Sequence, residues 1–160
     1  MRSIESKLLT REQLTLLAPA WREAGKKVVL TNGVFDLLHV GHLRYLQEAR
    51  RLGDLLVVGV NSDESARQLK GDSRPIVPAS ERAELLAGLE CVDYVTIFHE
   101  LTAKTLIEVV QPTYYAKGGD YTERDLPEAE AVVAYGGFVV ILPFYPERST
   151  SALVEKIRQL

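Results

Sequence analysis

The chain has 160 residues and a mass of 17.8 kDa, about one domain's worth of polypeptide. Apolar residues make up 46% and charged residues 26%, and 19 Lys+Arg against 22 Asp+Glu leave a net charge of −3, which excludes wholesale disorder and a strongly basic nucleic-acid coat protein. The single cysteine, Cys91, excludes an intramolecular disulfide and a Cys-based zinc site, and no apolar run approaches the roughly 18–20 residues of a membrane span.

The first residues, Met1 to Lys7, lack the apolar core of a secretion signal. The expectation is a cytoplasmic protein with neither membrane nor nucleic acid among its partners. Thr10 and Gln13 then have capping-box spacing, and Leu14, Leu17, Ala18 and Trp21 form one stripe of a helix that Gly25 ends. Residues 1–25 read as a helical extension of a single domain covering 1–160. From Val28 onwards short β-branched runs read as strands buried on both faces: Val28 to Thr31, Leu55 to Val60, Tyr94 to Phe98, Tyr114 to Ala116 and Phe138 to Leu142.

Helical periods separate these runs. Leu43, Leu46 and Ala49 are one set; Leu85, Leu86 and Leu89 a second; Leu106, Val109 and Val110 a third. Leu153, Ile157 and Leu160 close the chain at i, i+4, i+7. Gly53, Gly88, Gly136 and Pro112 mark segment ends. Within this pattern Cys91 reads as a small buried hydrophobe. Alternating strands and helices predict an α/β fold: a parallel five-stranded sheet with helices on both faces. Ligands of such sheets bind beyond the carboxyl ends of the strands. The loops after Leu30, Val60, Phe98, Ala116 and Leu142 are therefore where chemistry is expected.

The loop after the first strand reads Thr31-Asn32-Gly33-Val34-Phe35-Asp36-Leu37-Leu38-His39-Val40-Gly41-His42. It is neither a Gly-x-Gly-x-x-Gly fingerprint nor a Walker loop. It brings two histidines, three apart, into a helix start, where free N–H groups attract anions. Gly41 would let a phosphate approach the backbone, imidazole N–H groups would donate to its oxygens, and Asn32-Gly33 suggests a turn with exposed amides. Capping or a metal pair are the alternatives for the histidines. A zinc pair usually sits at i, i+4 with a further ligand, and none is evident. His99, after the third strand, reads as a surface residue.

Three further stretches fit an anionic ligand. Lys70, Arg74 and Arg82 form a basic set around Lys70-Gly71-Asp72-Ser73-Arg74-Pro75, readable as a solvated loop or as a clamp on a phosphorylated substrate. Lys117-Gly118-Gly119-Asp120-Tyr121 follows the fourth strand; it is a plain turn, or a place where backbone presses on a base while Lys117 meets a phosphate and Asp120 a base or ribose hydroxyl. Ser149, Thr150 and Ser151 open the last helix, as caps or as a second phosphate site.

The string Thr31 to Asp36 with His39-x-Gly-His42 resembles the cytidylyltransferase-like family of nucleotidyltransferases. The runs Lys70-Gly-Asp-Ser-Arg74-Pro75, Glu81-Arg82, Lys117-Gly-Gly-Asp-Tyr121 and Ser149-Thr-Ser narrow the resemblance to the heptose 1-phosphate adenylyltransferases, which often form half of a bifunctional kinase–adenylyltransferase. With no kinase half, the chain looks like their free-standing form. The resemblance implies a three-layer, Rossmann-like domain of nucleotidyltransferase type. It also implies a reaction in which ATP and a sugar 1-phosphate, foremost D-glycero-D-manno-heptose 1-phosphate, give an ADP-sugar and pyrophosphate. Catalysis of this kind is positioning and charge stabilisation, with no covalent enzyme intermediate.

By resemblance the catalytic residues are His39, His42 and Lys70. The nucleotide is bound by Thr31, Asn32, Gly33, Phe35, Gly41, His42, Lys117, Gly118, Asp120, Phe144, Ser149, Thr150 and Ser151. The substrate phosphate meets Lys70, Arg74 and Arg82. Mg²⁺ is implied, held mainly through phosphate oxygens. Asp36 is open to two roles, a ligand of that ion or a structural hydrogen-bonding group. A homodimer rests on family analogy only. Phe144 after Pro143 stands where glycerol 3-phosphate cytidylyltransferases carry Arg, which favours the heptose branch. Alternatives are cytidylyl transfer to glycerol 3-phosphate, adenylyl transfer to flavin mononucleotide, and a non-catalytic nucleotide-binding module.

Overall fold

The computed structural model describes residues 1–119, 121–143 and 149–160. Five strands, β1 (Val28–Gly33), β2 (Leu55–Asn61), β3 (Tyr94–Phe98), β4 (Tyr114–Gly118) and β5 (Phe138–Leu142), form one sheet in the order β3-β2-β1-β4-β5. Every neighbouring pair is parallel. The helices are α1 (Arg11–Glu23), α2 (Val40–Arg51), α3 (Asp63–Lys70), α4 (Ala79–Ala87), α5 (Lys104–Val110), α6 (Ala129–Val133) and α7 (Thr150–Arg158).

Strand alternation sends neighbours to opposite faces, so one sheet supports two apolar layers. Val29, Leu56 and Val58 pack with Leu46 and Ala49 of α2 and with Ala83 and Leu86 of α4. Val28, Leu30 and Val57 pack with Leu14 of α1, Leu106 and Ile107 of α5 and Val132 of α6. This is the three-layer sandwich that the strand and helix patterns predict.

The N-terminal segment is built into this core. Thr10 and Gln13 make the expected capping box at the start of α1, and Leu14 and Ala18 are fully buried. Leu9 N–H donates to Val95 O at 2.9 Å, which covers the open edge of β3. Lys7 lays its ammonium on the carbonyls of Leu89 (3.2 Å) and Val92 (2.8 Å), just beyond α4.

Two helical sets and the cysteine differ from expectation. Leu86 is buried, but its neighbour Leu85 is 54% exposed, and Leu89 lies beyond the end of α4 at Ala87. Leu153, Ile157 and Leu160 do fall at helical spacing, yet α7 buries none of its residues and Ile157 is 60% exposed. Cys91 is half-buried against the α2/α4 layer, and burial raises its thiol above the ordinary value. No helix among the described residues is long and apolar enough to cross a membrane.

Candidate functional site

The sheet order reverses direction between β1 and β4: β1 is followed by strands on one side, β4 by a strand on the other. The loops leaving these two carboxyl ends diverge and open a crevice. A cavity of about 370 Å³ fills it, lined by the loop after β1, the start of α2, the ends of β4 and β5, and the start of α7. Lys70 and Arg74 close one side.

The histidines are built into the start of α2. His39 is its N-cap, and its Nδ1 accepts from Gly41 N–H at 3.1 Å. His42 sits at N3, and its Nδ1 accepts from His39 N–H at 3.4 Å. The result is a capping box in which imidazoles replace the usual hydroxyl and carboxamide. The two rings stack, 3.8 Å between centroids and 25° between planes, and Phe35 meets His42 edge-on at 5.3 Å. Partial burial, with the neighbouring His39 charge as a second cause, lowers His42 to about 4. Phe35 is a non-glycine residue at φ 50, a conformation that surrounding packing must enforce.

Two buried side chains fix the loop on which this geometry rests. The Asp36 carboxylate accepts from Ile76 N–H and Val77 N–H at 2.9 Å and pairs with Arg74 at 3.5 Å. Arg82, 0% exposed, donates Nε to Val77 O (2.8 Å), one terminal nitrogen to Val34 O (2.6 Å) and the other to Asp63 (2.9 Å). This corrects the sequence reading of Arg82 as a substrate-phosphate contact. Its donors face the protein, and it does not line the cavity.

Thr31 is likewise corrected. It is fully buried, its hydroxyl lies 2.7 Å from Tyr45 Oη, and it is not part of the cavity wall. Gly41 does line the wall, but its N–H is already donated to His39. Asn32 and Gly33 are the last residues of β1, in register with Gly59 and Val60, and do not form a separate turn. Asp36 lines the cavity and makes the structural hydrogen bonds of its second alternative, to Ile76 N–H and Val77 N–H. Among the described residues no group of three His, Cys, Asp or Glu side chains could hold a metal. The described donor set does not by itself fit a protein-held Mg²⁺.

Asn32, Gly33, Phe35, His39, Gly41, His42, Lys70, Arg74, Lys117, Gly118, Ser149, Thr150 and Ser151 are brought together around the one cavity. Asp120 and Phe144 lie outside the described residues. At α7, Ser149 is the N-cap and accepts from Ala152 N–H at 3.0 Å, while Thr150 donates to Leu37 O at 3.1 Å and ties the helix to the loop after β1. Burial lowers the Lys117 ammonium; Glu128 opposes that shift and Lys70 adds to it.

Two tyrosines, Tyr45 and Tyr115, were missed from sequence, and Tyr121 entered there only as the end of the Lys117–Tyr121 run. Tyr45, from α2, donates to Ala116 O at 3.0 Å and so joins β1 to β4 beneath the cavity; burial raises its phenol. A Cβ at Gly118 would stand 3.0 Å from the Tyr45 ring, so a side chain there would press on that ring. Gly119, at φ 118, turns the chain so that Tyr121 reaches the cavity rim, 48% exposed. Tyr115 donates to Asn32 Oδ1 and orients that amide. Tyrosines in strands and helices look like core, and only tertiary contact reveals these roles. The loop after β3 lines none of the cavity: His99 is exposed, and Glu100 pairs with Arg11.

The cytidylyltransferase-like family profile matches residues 30–156. The bifunctional protein HldE of Geotalea uraniireducens is 50% identical over 154 residues, which is 96% of this chain and 31% of that protein. The bifunctional protein HldE of Pelobacter propionicus is 49% identical over 153 residues, again 96% of this chain and 31% of the relative. The chain therefore spans about a third of the length of the curated relatives it matches. The crystal structure of the lipopolysaccharide core biosynthesis protein from Thermoplasma volcanium GSS1 matches with a TM-score of 0.63 and 32% identity, covering 76% of this chain and 98% of that one.

Proposed function

The chain belongs to the cytidylyltransferase-like family and is a nucleotidyltransferase; on that premise we propose that it transfers AMP from ATP to a sugar 1-phosphate, foremost D-glycero-D-manno-heptose 1-phosphate. An oxygen of the acceptor phosphate attacks the α-phosphorus in line. The bond to the bridging oxygen breaks, and pyrophosphate leaves with the electron pair. The products are an ADP-sugar and pyrophosphate, and no side chain becomes covalently modified.

The observation that carries this reading is the stacked histidine pair at the N-terminus of α2, facing a cavity that also holds the start of α7 and three cationic side chains. Two helix starts and Lys70, Arg74 and Lys117 suit a triphosphate together with a second phosphate. In this reading His39 and His42 donate to the α-phosphoryl oxygens, where charge grows as the acceptor attacks. Lys70 and Arg74 hold the pyrophosphate or the incoming phosphate. Lys117, Gly118 and Tyr121 flank the base and ribose, with Asp120 and Phe144 proposed beside them from sequence alone. Mg²⁺ bound through the nucleotide phosphates would neutralise part of their charge.

The test is pyrophosphate release with ATP or CTP, in the presence of Mg²⁺, against heptose 1-phosphate, glycerol 3-phosphate and flavin mononucleotide. Release with ATP and heptose 1-phosphate supports the proposal. Release with CTP and glycerol 3-phosphate would keep the mechanism and overturn the substrates. Nucleotide binding with no release from any acceptor would point to a binding module.

A further inference from the structure

We propose that His39 and His42 act as neutral Nε2–H donors, with the tautomer of each ring set in advance by the backbone at the start of α2. The proposal rests on the reading of the cavity as a nucleotide-phosphate site, and it specifies the chemical state in which that site works.

A neutral imidazole carries one proton on one of its two nitrogens. Gly41 N–H points at His39 Nδ1 at 3.1 Å, and His39 N–H points at His42 Nδ1 at 3.4 Å, the longer and weaker of the two. A nitrogen that accepts a backbone N–H bears no proton, so the ring proton sits on Nε2 in both residues. Protonating either ring would set an Nδ1–H against a backbone N–H. One half-buried donor at the helix start would then lose its acceptor, and the capping box would open.

The surroundings act in the same direction. The rings stack at 3.8 Å, so two imidazolium charges would lie face to face. Among the described residues the charged groups sharing the cavity are Lys70, Arg74 and Lys117, all cationic, and Asp36. Asp36 is the only carboxylate among the described lining residues, and it is already bonded to Arg74, Ile76 N–H and Val77 N–H. Phe35 covers an edge of His42. Burial and His39 bring His42 to about 4, well below neutral pH.

This gives a physical reason for histidine in this pattern. A capping box needs an acceptor at the N-cap and another at N3. Serine and glutamate would satisfy the helix, but the glutamate would repel a phosphate. An imidazole accepts from the helix at Nδ1 and donates to the cavity at Nε2, with a rigid ring between them. A carboxamide offers the same two functions on a more flexible stem, whereas lysine offers a charge and no acceptor.

The first test is made on the full chain without nucleotide, labelled with ¹⁵N-histidine, with His99→Gln removing the one other histidine. Long-range ¹H–¹⁵N correlation spectra are expected to show unprotonated Nδ1 and protonated Nε2 for both rings at about pH 7.5, and for His42 down to about pH 5.5. An Nδ1–H tautomer, or an imidazolium population in either ring at neutral pH, would overturn the proposal. This reading does not depend on turnover, so it stands or falls separately from the proposed reaction.

The second test compares His42→Gln with His42→Lys by pyrophosphate release, with circular dichroism confirming the fold of each. Gln is expected to remain within about tenfold of the unsubstituted chain, and Lys to fall by about a hundredfold or more. Lys equal to or better than Gln would show that charge, and not a neutral donor anchored to the helix, is what the site needs.

Discussion

The loop leaving β1 and the loop leaving β3 both follow a short β-branched strand and both carry histidine, but they are held in different ways. The β1 loop lies at the point where the sheet order reverses, and buried polar groups pin it: Arg82 on Val34 O, Asp36 on the 74–77 segment, and Thr150 on Leu37 O. Its histidines are capped into a helix. The β3 loop lies at the sheet edge, His99 is exposed, and the Arg11–Glu100 pair that fastens it is partly in solvent. The difference shows that a histidine after a strand becomes part of a site only where the topology opens a crevice and the interior holds the loop still.

The strongest way to break this contrast is to remove the anchor of the β1 loop. Arg82→Ala leaves Val34 O and Val77 O without their donor, takes from Asp63 one of its two, and is expected to cost about 3–5 kcal/mol of stability, read as a lower denaturant midpoint. A shift no larger than that of an exposed substitution would refute the anchoring role. His42→Ala comes next. Turnover is expected to fall by a few hundredfold, about 3–4 kcal/mol of transition-state stabilisation, with the fold retained. Unchanged turnover in a folded variant would remove His42 from the chemistry.

A smaller effect is expected from pH. The folded value of His42 lies below the ordinary 6.5, so the unfolded chain takes up the proton first as pH falls. Its contribution to stability is therefore whole above about 6.5 and is lost down to about 4. The loss should be about 1–2 kcal/mol, since the ring is only partly buried. Urea midpoints of the unsubstituted chain and of His42→Ala across this range should converge at the acid end; parallel curves would contradict the assignment.

The smallest effect belongs to the β3 loop. Arg11→Ala should cost less than about 1 kcal/mol, because the pair is partly exposed. Arg11 chiefly lowers Glu100, to about 2. The pair's contribution is thus present above the ordinary carboxylate value and fades as pH falls towards 2. Removing Arg11 should return the Glu100 titration, followed by NMR, to the ordinary range and leave turnover unchanged.

Much of the fold was legible in the chain. The five β-branched runs became the five strands, two of them with the predicted ends, and the Thr10–Gln13 spacing became a capping box. Local rules sufficed because strand and cap preferences depend on near neighbours. The cluster of candidate site residues was legible in part. His39, His42, Lys70, Arg74, Lys117 and Ser149 do meet at one cavity. Arg82 could not be separated from Arg74 by type or by loop position. Only the packing shows that Arg74 lies on the cavity and Arg82 beneath it, on the carbonyls of Val34 and Val77.

What the amino-acid order determined by itself is the alternation of strand and helix, the cap at α1, and a pair of histidines at one helix start, all set by contacts within a few residues. What only the tertiary structure decided is which loop ends share the crevice, which cation faces it, and how Tyr45 and Tyr115 fix its floor. Those outcomes depend on residues far apart in the chain being brought together by the burial of both faces of the sheet, and no local pattern records which partner each polar group will find.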